Sequence, residues 1–343
     1  MKDNRNSFLN ASVGILKLPS VAFFLFQNVR VQKKFIKIHL LPDLKEFQDK
    51  NDGSLKETDF KKITNYYAVG VPAILGYAFS VLRGFPLNTK ERTTTTYLGG
   101  ISGLLDDLFD EKDKKVLHLE NFIFRPEALK PINKYEALLT QFYIKGLDCS
   151  KNSEVLKQQA KKVFKTETKS ELQHNNNLPE EKIKELTFLK GGHSFLFYRM
   201  CLDHPLEKEE EKMNFQLGGL MQLGNDIFDV WEDVNQQIET LATKTTSIHL
   251  LRNSFSSELN STIALIKECD YPKKQLQAFI RIVLFGLSRV YVCLDQFEKL
   301  QASETSLFQP EKYTRKQLIC DMELLKNRKA ALGYYLRLHS RYL

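Results

Sequence analysis

Cysteine is scarce in this chain: five residues in 343, with no Cys-x-x-Cys pair. Cys149, Cys201, Cys269, Cys293 and Cys320 stand far apart and are odd in number, so neither a disulfide framework nor a zinc site is expected. That usage fits a reduced, cytoplasmic protein. Glycine (16) and proline (10) are too few for many short strands and tight turns, and the long stretches free of both point to helices. The most apolar N-terminal stretch, 13–27, is broken by Lys17 and Pro19, so no transmembrane span is expected. It also lacks the basic start and cleavage site of a signal peptide.

The composition is that of a folded chain, with 42% hydrophobic and 27% charged residues, which excludes a disordered or collagen-like protein. The net charge of +8 comes from basic residues scattered among glutamates, without any nucleic-acid-binding module, so no nucleic-acid partner is expected. Residues 1–50 form an N-terminal segment in which Arg30, Lys33, Lys34 and Lys37 interleave with Phe35, Ile36, Ile38, Leu40 and Leu41. This pattern suits a helix packing on its own domain and leaves open a peripheral membrane contact. Asn51-Asp52-Gly53-Ser54 reads as a turn.

Helical spacing follows over 58–83, with Pro72 a kink or restart, and from the Thr93–Thr96 run through Leu108, closed by 111–115. One or two helices fit 127–164, and the polar 166–181 reads as a surface loop. The next helix meets Gly191-Gly192, where a break or a close backbone approach is expected. The strongest periodicity runs from Met213 to Ile238, and further helices fit 271–302 and 311–339. With neither strand alternation nor an internal repeat, the fold class is all-α in a single large domain.

Two acidic clusters lie inside apolar helices rather than at their ends. In Leu104-Leu105-Asp106-Asp107-Leu108-Phe109-Asp110, Asp106 and Asp110 are four apart and share a helix face, with Asp107 three from Asp110. Such a group suffers like-charge repulsion that a hard divalent cation would offset. In the second cluster Asn225, Asp229, Glu232 and Asp233 fall within about 100° of arc at 100° per residue, and Asp226 lies beside them. Oxygen ligands at such spacings suit a second hard cation, and the amide of Asn225 lowers the local charge. One acidic run is usually a solvated face. Two runs, each embedded in Leu, Ile, Phe and Gly, point to metal.

These residues resemble the class I isoprenoid synthase superfamily: terpene cyclases, squalene/phytoene synthases and trans-prenyl diphosphate synthases. Asp106, Asp107 and Asp110 match its aspartate-rich first motif. Gln222, Asn225, Asp229, Glu232 and Asp233 match the squalene/phytoene form of the second motif, except that Phe228 stands where that branch has Arg. In the terpene-cyclase form Asn225 fits, while Asp229 and Asp233 replace a Ser/Thr and a Glu. A second prenyl-synthase DDxxD fits Asp226 and Asp229, with Asn225 replacing the first Asp. The resemblance implies a helical bundle over 51–343 with the two motifs on facing helices around a cavity. It also implies two or three Mg²⁺ ions and a prenyl diphosphate substrate.

It further implies cations for the diphosphate. Lys190 and Lys244 lie near the positions of two such lysines, and Arg199, nine residues after Lys190, is expected on the same side if the helix continues. Arg341-Tyr342 resembles an Arg-Tyr pair of bacterial terpene cyclases. Tyr77, Phe79, Tyr97 and Phe195 are candidates to line a carbocation pocket. Glycines 99, 100, 103, 218, 219 and 224 leave room for a ligand or for close helix packing. The Gly-Lys-x-x-Arg-Pro segment of chain-elongating synthases is missing, and Glu111-Lys112-Asp113 replaces the Arg pair after the first motif. The expected activity is therefore that of a terpene synthase. Head-to-head prenyl transfer and a catalytically silent regulatory subunit are alternatives, and a homodimer is left open.

Overall fold

The computed structural model describes residues 21–110, 119–174, 177–304 and 307–343. Helices account for 81% of the described residues, among which no strand occurs, and this establishes the all-α class. The chain divides into two compact units. An N-terminal unit comprises Ala22–Thr168 and Leu196–Leu206, and a C-terminal unit comprises Lys169–Phe195 and Glu207–Leu343.

Helix α1 covers residues 21–49, widened by a π turn at Ile36–Leu40. The expected turn follows: the Asn51 carboxamide oxygen accepts from the Gly53 and Leu55 N–H groups, and Gly53 takes φ +89°. Helix α2, Glu57–Arg83, starts where the Asp59 carboxylate accepts from the Lys56 N–H at 2.7 Å. It ends where Gly84 adopts φ 85° and its N–H reaches Ser80 O. Pro72 neither breaks nor restarts α2. It lies in a wider π turn, Val71–Leu75, in which the loss of one N–H is tolerated.

The core of the N-terminal unit is α3 (Thr89–Asp110) packed on a later helix, Lys134–Cys149. Tyr97, Leu98, Ile101 and Leu104 meet Leu138, Leu139 and Phe142 there, all buried. The Tyr97 hydroxyl donates to Asp43 Oδ2 (2.6 Å) and His39 O (2.9 Å), which ties α1 to α3. The stretch expected to close α3, 111–115, lies outside the described residues. Helix α4 is Leu119–Phe124, α5 is Lys134–Cys149 and α6 is Ser153–Ser170. Part of the expected 166–181 loop is thus helical, because Phe164, Thr166 and Glu167 are buried on one side of α6.

In the C-terminal unit α7 is Glu180–Met200, which begins there and runs into the other unit. Then come α8 (Lys208–Phe228), α9 (Val230–Asn235), α10 (Leu241–Lys244) and α11 (Ile248–Glu268). Helix α12 is Lys273–Glu304, α13 is Arg315–Leu318 and α14 is Leu325–Tyr342. The expected 311–339 helix is divided because the backbone turns extended at Ile319, and Leu324 opens α14 from an extended conformation. Helix α8 packs on α11 and α12, and α12 also carries α14. Segments Glu57–Arg83 and Lys273–Ala302 are long and apolar enough to cross a membrane, with 50% and 67% of their most apolar windows buried in the fold, as in core helices.

No break occurs at Gly191-Gly192; the close approach does. A Cβ on Gly191 would lie 2.2 Å from Gly218 O, and one on Gly218 would lie 2.3 Å from Gly191 O. Gly192 and Gly219 sit equally tight against the rings of Phe215 and Phe188. Gly99 meets Val71 and Gly103 meets Tyr67 in the same way, so these glycines serve helix packing. Gly218→Ala should therefore cost about 1–3 kcal/mol through overpacking against backbone that cannot rotate away. Gly286→Ala, on α12 with nothing within 4 Å of the new Cβ, should instead gain about 0.5–1 kcal/mol. Urea unfolding of both variants checks the contrast, and equal effects would contradict the packing.

Candidate functional site

The second acidic cluster is built at the junction of α8 and α9. The single helix expected over 213–238 divides at Asp229, whose φ of −95° and ψ of 12° leave helical geometry for one residue. Hydrogen bonds continue across it, from the Asp229 N–H to Asn225 O and from the Asp233 N–H to Asp229 O, both 2.9 Å. The acidic side chains therefore stay close while the axis adjusts. Asn225 Nδ2 donates to Asp229 Oδ2 at 2.7 Å. Asp226 is buried, and its two oxygens accept from Gln222 Nε2 (2.8 Å) and from Thr187 Oγ1 of α7 (3.1 Å). It thus joins the two helices at the glycine crossing.

Electrostatics single out Asp233. Burial, then repulsion from Asp226 and Asp229, push its carboxyl up to about 8, against the opposing charge of Lys190. Burial also raises Asp226, to about 6, with its two hydrogen bonds and Lys190 opposing. Asp229 is raised by burial and by Glu232. Glu232 Oε2 is buried without a hydrogen-bond partner. The cluster thus holds more carboxyl groups than the nearby donors can stabilise as anions. Among the described residues, no three His, Cys, Asp or Glu side chains already form a group that could hold a metal ion.

The first cluster, on α3 in the other unit, is arranged differently. Asp107 accepts from Lys62 Nζ through both oxygens, at 2.6 and 2.7 Å, so its charge has a counter-ion from α2. The charge of Asp106 helps raise the Tyr198 phenol, after burial and against a hydrogen bond with Ser102. The side chain of Asp110 lies outside the described residues. Lys62 was not anticipated, because a lone lysine forty-five residues before its partner leaves no sequence signal.

Of the expected diphosphate cations, Lys190 is the one whose charge acts on the second cluster. Helix α7 does continue through Arg199, but the expectation of a shared side is wrong. Nine residues make about two and a half turns at 3.6 residues each, so the two side chains leave opposite sides. Arg199 is buried, and its guanidinium donates to His204 O (3.0 Å) and Pro205 O (2.9 Å), fixing the chain after α7. Lys244 bonds Glu239 Oε1 (3.1 Å) and Asn177 Oδ1 (3.0 Å), tying the end of α10 to the chain before α7. At the C-terminus the Tyr342 hydroxyl donates to Asn260 Oδ1, so this residue anchors α14 to α11. Phe79, Tyr97 and Phe195 are buried core residues. Tyr77 faces a cleft of about 370 Å³ in the N-terminal unit with Arg92, Phe85 and Pro72.

The raised Asp233 carboxyl gives a stability test with a definite sign. In the folded protein the group keeps its proton to near pH 8, whereas its ordinary value is 3.8. Folded chains then bind more protons than unfolded ones between these values, so stability falls as pH rises through that window. Asp233→Asn cannot ionise and should flatten the fall, gaining several kcal/mol near the upper end and little at the lower. Urea unfolding in EDTA across that range measures it; parallel pH profiles for the two proteins would exclude the shift.

Compared with known proteins, the chain matches no protein-family model, no curated protein and no solved structure.

Proposed function

We propose that the protein is a Mg²⁺-dependent class I terpene synthase acting on an allylic prenyl diphosphate. The observation that carries this reading is the second cluster, whose buried carboxylates repel one another, leave Glu232 Oε2 without a donor and have Lys190 as a nearby positive charge. Its donor set fits magnesium: hard oxygens with no thiolate or imidazole among them. Asn225, Asp229, Glu232 and Asp233 would hold the ion at this cluster, and Asp106, Asp107 and Asp110 would do so at the first. Asn225 suits the role because its bond to Asp229 uses Nδ2 and leaves the carboxamide oxygen for a cation. When bound, the ion supplies Lewis-acid stabilisation of charge on the departing diphosphate.

The remaining work falls to the chain. Lys190 pairs with the diphosphate as the allylic carbon–oxygen bond breaks and its electron pair stays on the leaving oxygen. Asp226 keeps α7 and α8 in register, and so keeps Lys190 beside the carboxylates. Lys62 holds Asp107 in place through both carboxylate oxygens. The cation is then discharged by loss of a proton or by capture of water.

Geranyl, farnesyl and geranylgeranyl diphosphate, each with Mg²⁺ and purified protein, provide the test. Diphosphate release with a hydrocarbon or alcohol from one of them is expected, falling at least a hundredfold, or ~2.7 kcal/mol, in Asp106→Ala and in Asn225→Ala. A product of doubled carbon number would assign the head-to-head transferase. No release from any of them would leave the silent-subunit reading.

A peripheral membrane contact belongs to the same reading, since prenyl chains partition into lipid. Phe23, Phe26 and Ile38 on α1 are 54%, 68% and 66% exposed, alongside exposed Arg30, Lys34 and Lys37. This combination of apolar and basic groups suits an anionic interface. Co-sedimentation with phosphatidylglycerol vesicles should exceed that with phosphatidylcholine and should fall in Phe26→Glu/Ile38→Glu. Equal pelleting of variant and parent would remove this contact.

A further inference from the structure

The C-terminal unit carries a concave site that its acidic cluster does not line. Helix α12, the chain 315–321 and the start of α14 enclose a cleft of about 860 Å³, within the range of small-molecule pockets. Its form is fixed by Gln296, whose Nε2 donates to Gln317 O (2.6 Å) and Ile319 O (3.1 Å), holding the 317–319 segment against α12. Asn327 Nδ2 donates to Asp321 O at 2.7 Å and holds the start of α14 in the same way. The cleft is therefore built by specific bonds.

Its lining is segregated by chemistry. Val292, Leu300, Ile319, Leu324 and Ala330 supply an apolar surface. Lys299, Arg315, Lys316 and Lys326 supply four cations, all exposed and none with an ion-pair or hydrogen-bond partner among the described residues. Two carboxylates share the lining. Asp295 is already neutralised by Arg252 Nη2 at 2.8 Å and accepts from the Tyr334 hydroxyl at 2.6 Å. Asp321 accepts from the Glu323 N–H. Four uncompensated cations against one free carboxylate make a field that attracts a multiply charged anion. Lysine and arginine together bind phosphate well, and the apolar wall beside them suits a hydrocarbon chain.

We propose that this cleft is a metal-independent binding site for an amphiphilic organic phosphate, with its head among Lys299, Arg315, Lys316 and Lys326 and its chain along the Val292–Leu324 wall. The site is separate from the acidic clusters, which contribute no lining residue. It therefore goes beyond the proposed catalytic reading and does not depend on it.

Titration calorimetry of the full-length chain in EDTA tests it, with dodecyl phosphate below its micellar concentration as the probe. Saturable one-to-one binding is expected, weakened at least tenfold, or ~1.4 kcal/mol, in Lys316→Glu/Lys326→Glu. Both residues are exposed, so the variant should keep the parent melting temperature. Lys190→Ala should bind as the parent does, and neutral dodecyl glucoside should not bind. Phosphatidic acid vesicles in parallel separate a membrane-borne head group from a free ligand, and loss of either interaction in the charge-reversal variant supports the cleft. Absence of saturable binding to both probes, or unchanged affinity in Lys316→Glu/Lys326→Glu, would overturn the proposal. So would loss of binding in Lys190→Ala alone, which would place the ligand at the acidic cluster whatever the fate of the catalytic reading.

Discussion

Two helix backbones can touch only where neither carries a side chain at the crossing, and Gly191 and Gly218 meet that condition on α7 and α8. Their carbonyls occupy the space that a Cβ would need on the opposite residue. Everything distinctive about the C-terminal unit's acidic cluster follows from this contact. Thr187 lies one helical turn before the crossing and reaches Asp226, two turns after it on the other helix. Lys190, one residue before Gly191, is carried to the same end of α8 and bears on Asp226 and Asp233. With bulkier residues at the crossing the helices would stand further apart, and neither contact would survive.

The electrostatic consequence is best seen against two other charged groups in the chain. Arg83 and Glu91 are nearly inaccessible, yet their bidentate pair is completed by N–H donors from Asn88 and Asp203, so every oxygen is satisfied. Asp107 is half-exposed and has Lys62 to itself. The α8–α9 cluster has neither arrangement: Asp226 and Asp233 share the field of Lys190, Asp226 and Asp229 have neutral donors, and Glu232 Oε2 has no hydrogen-bond partner. A fold that needed these residues only for stability would gain by replacing some of them with apolar groups of similar size. Their cost to the fold is the physical ground for the proposed cation.

Much of the architecture was legible in the sequence because it depends on local rules. Sparse glycine and proline, and apolar spacing along 58–83, 213–238 and 271–302, identified helices that exist. The turn at Asn51–Ser54 followed from its residue types, and the Gly191-Gly192 pair was read as a break or a close approach, of which the second is correct. What escaped was decided at long range or by small angular differences. The break at Asp229 has no glycine or proline to announce it. Lys62 finds Asp107 only because α2 and α3 pack together. Arg199 departs from its expected side because two and a half turns reverse a face, and its burial against the His204 and Pro205 carbonyls depends on how the chain leaves α7.

Helix α12 connects the two concentrations of charge in the C-terminal unit. Val290 fits against Gly224 of α8, and Cys293 Sγ donates to Ile227 O at 3.5 Å, so this stretch supports the helix that carries the acidic residues. Asp295, Gln296 and Lys299, within two turns along the same helix, line the basic cleft. The acidic cluster and the basic cleft therefore lie against one helix, the first gathering carboxyl groups and the second lysine and arginine. The cleft cations stay available because Arg252 takes up Asp295 and Glu298 on the same helix.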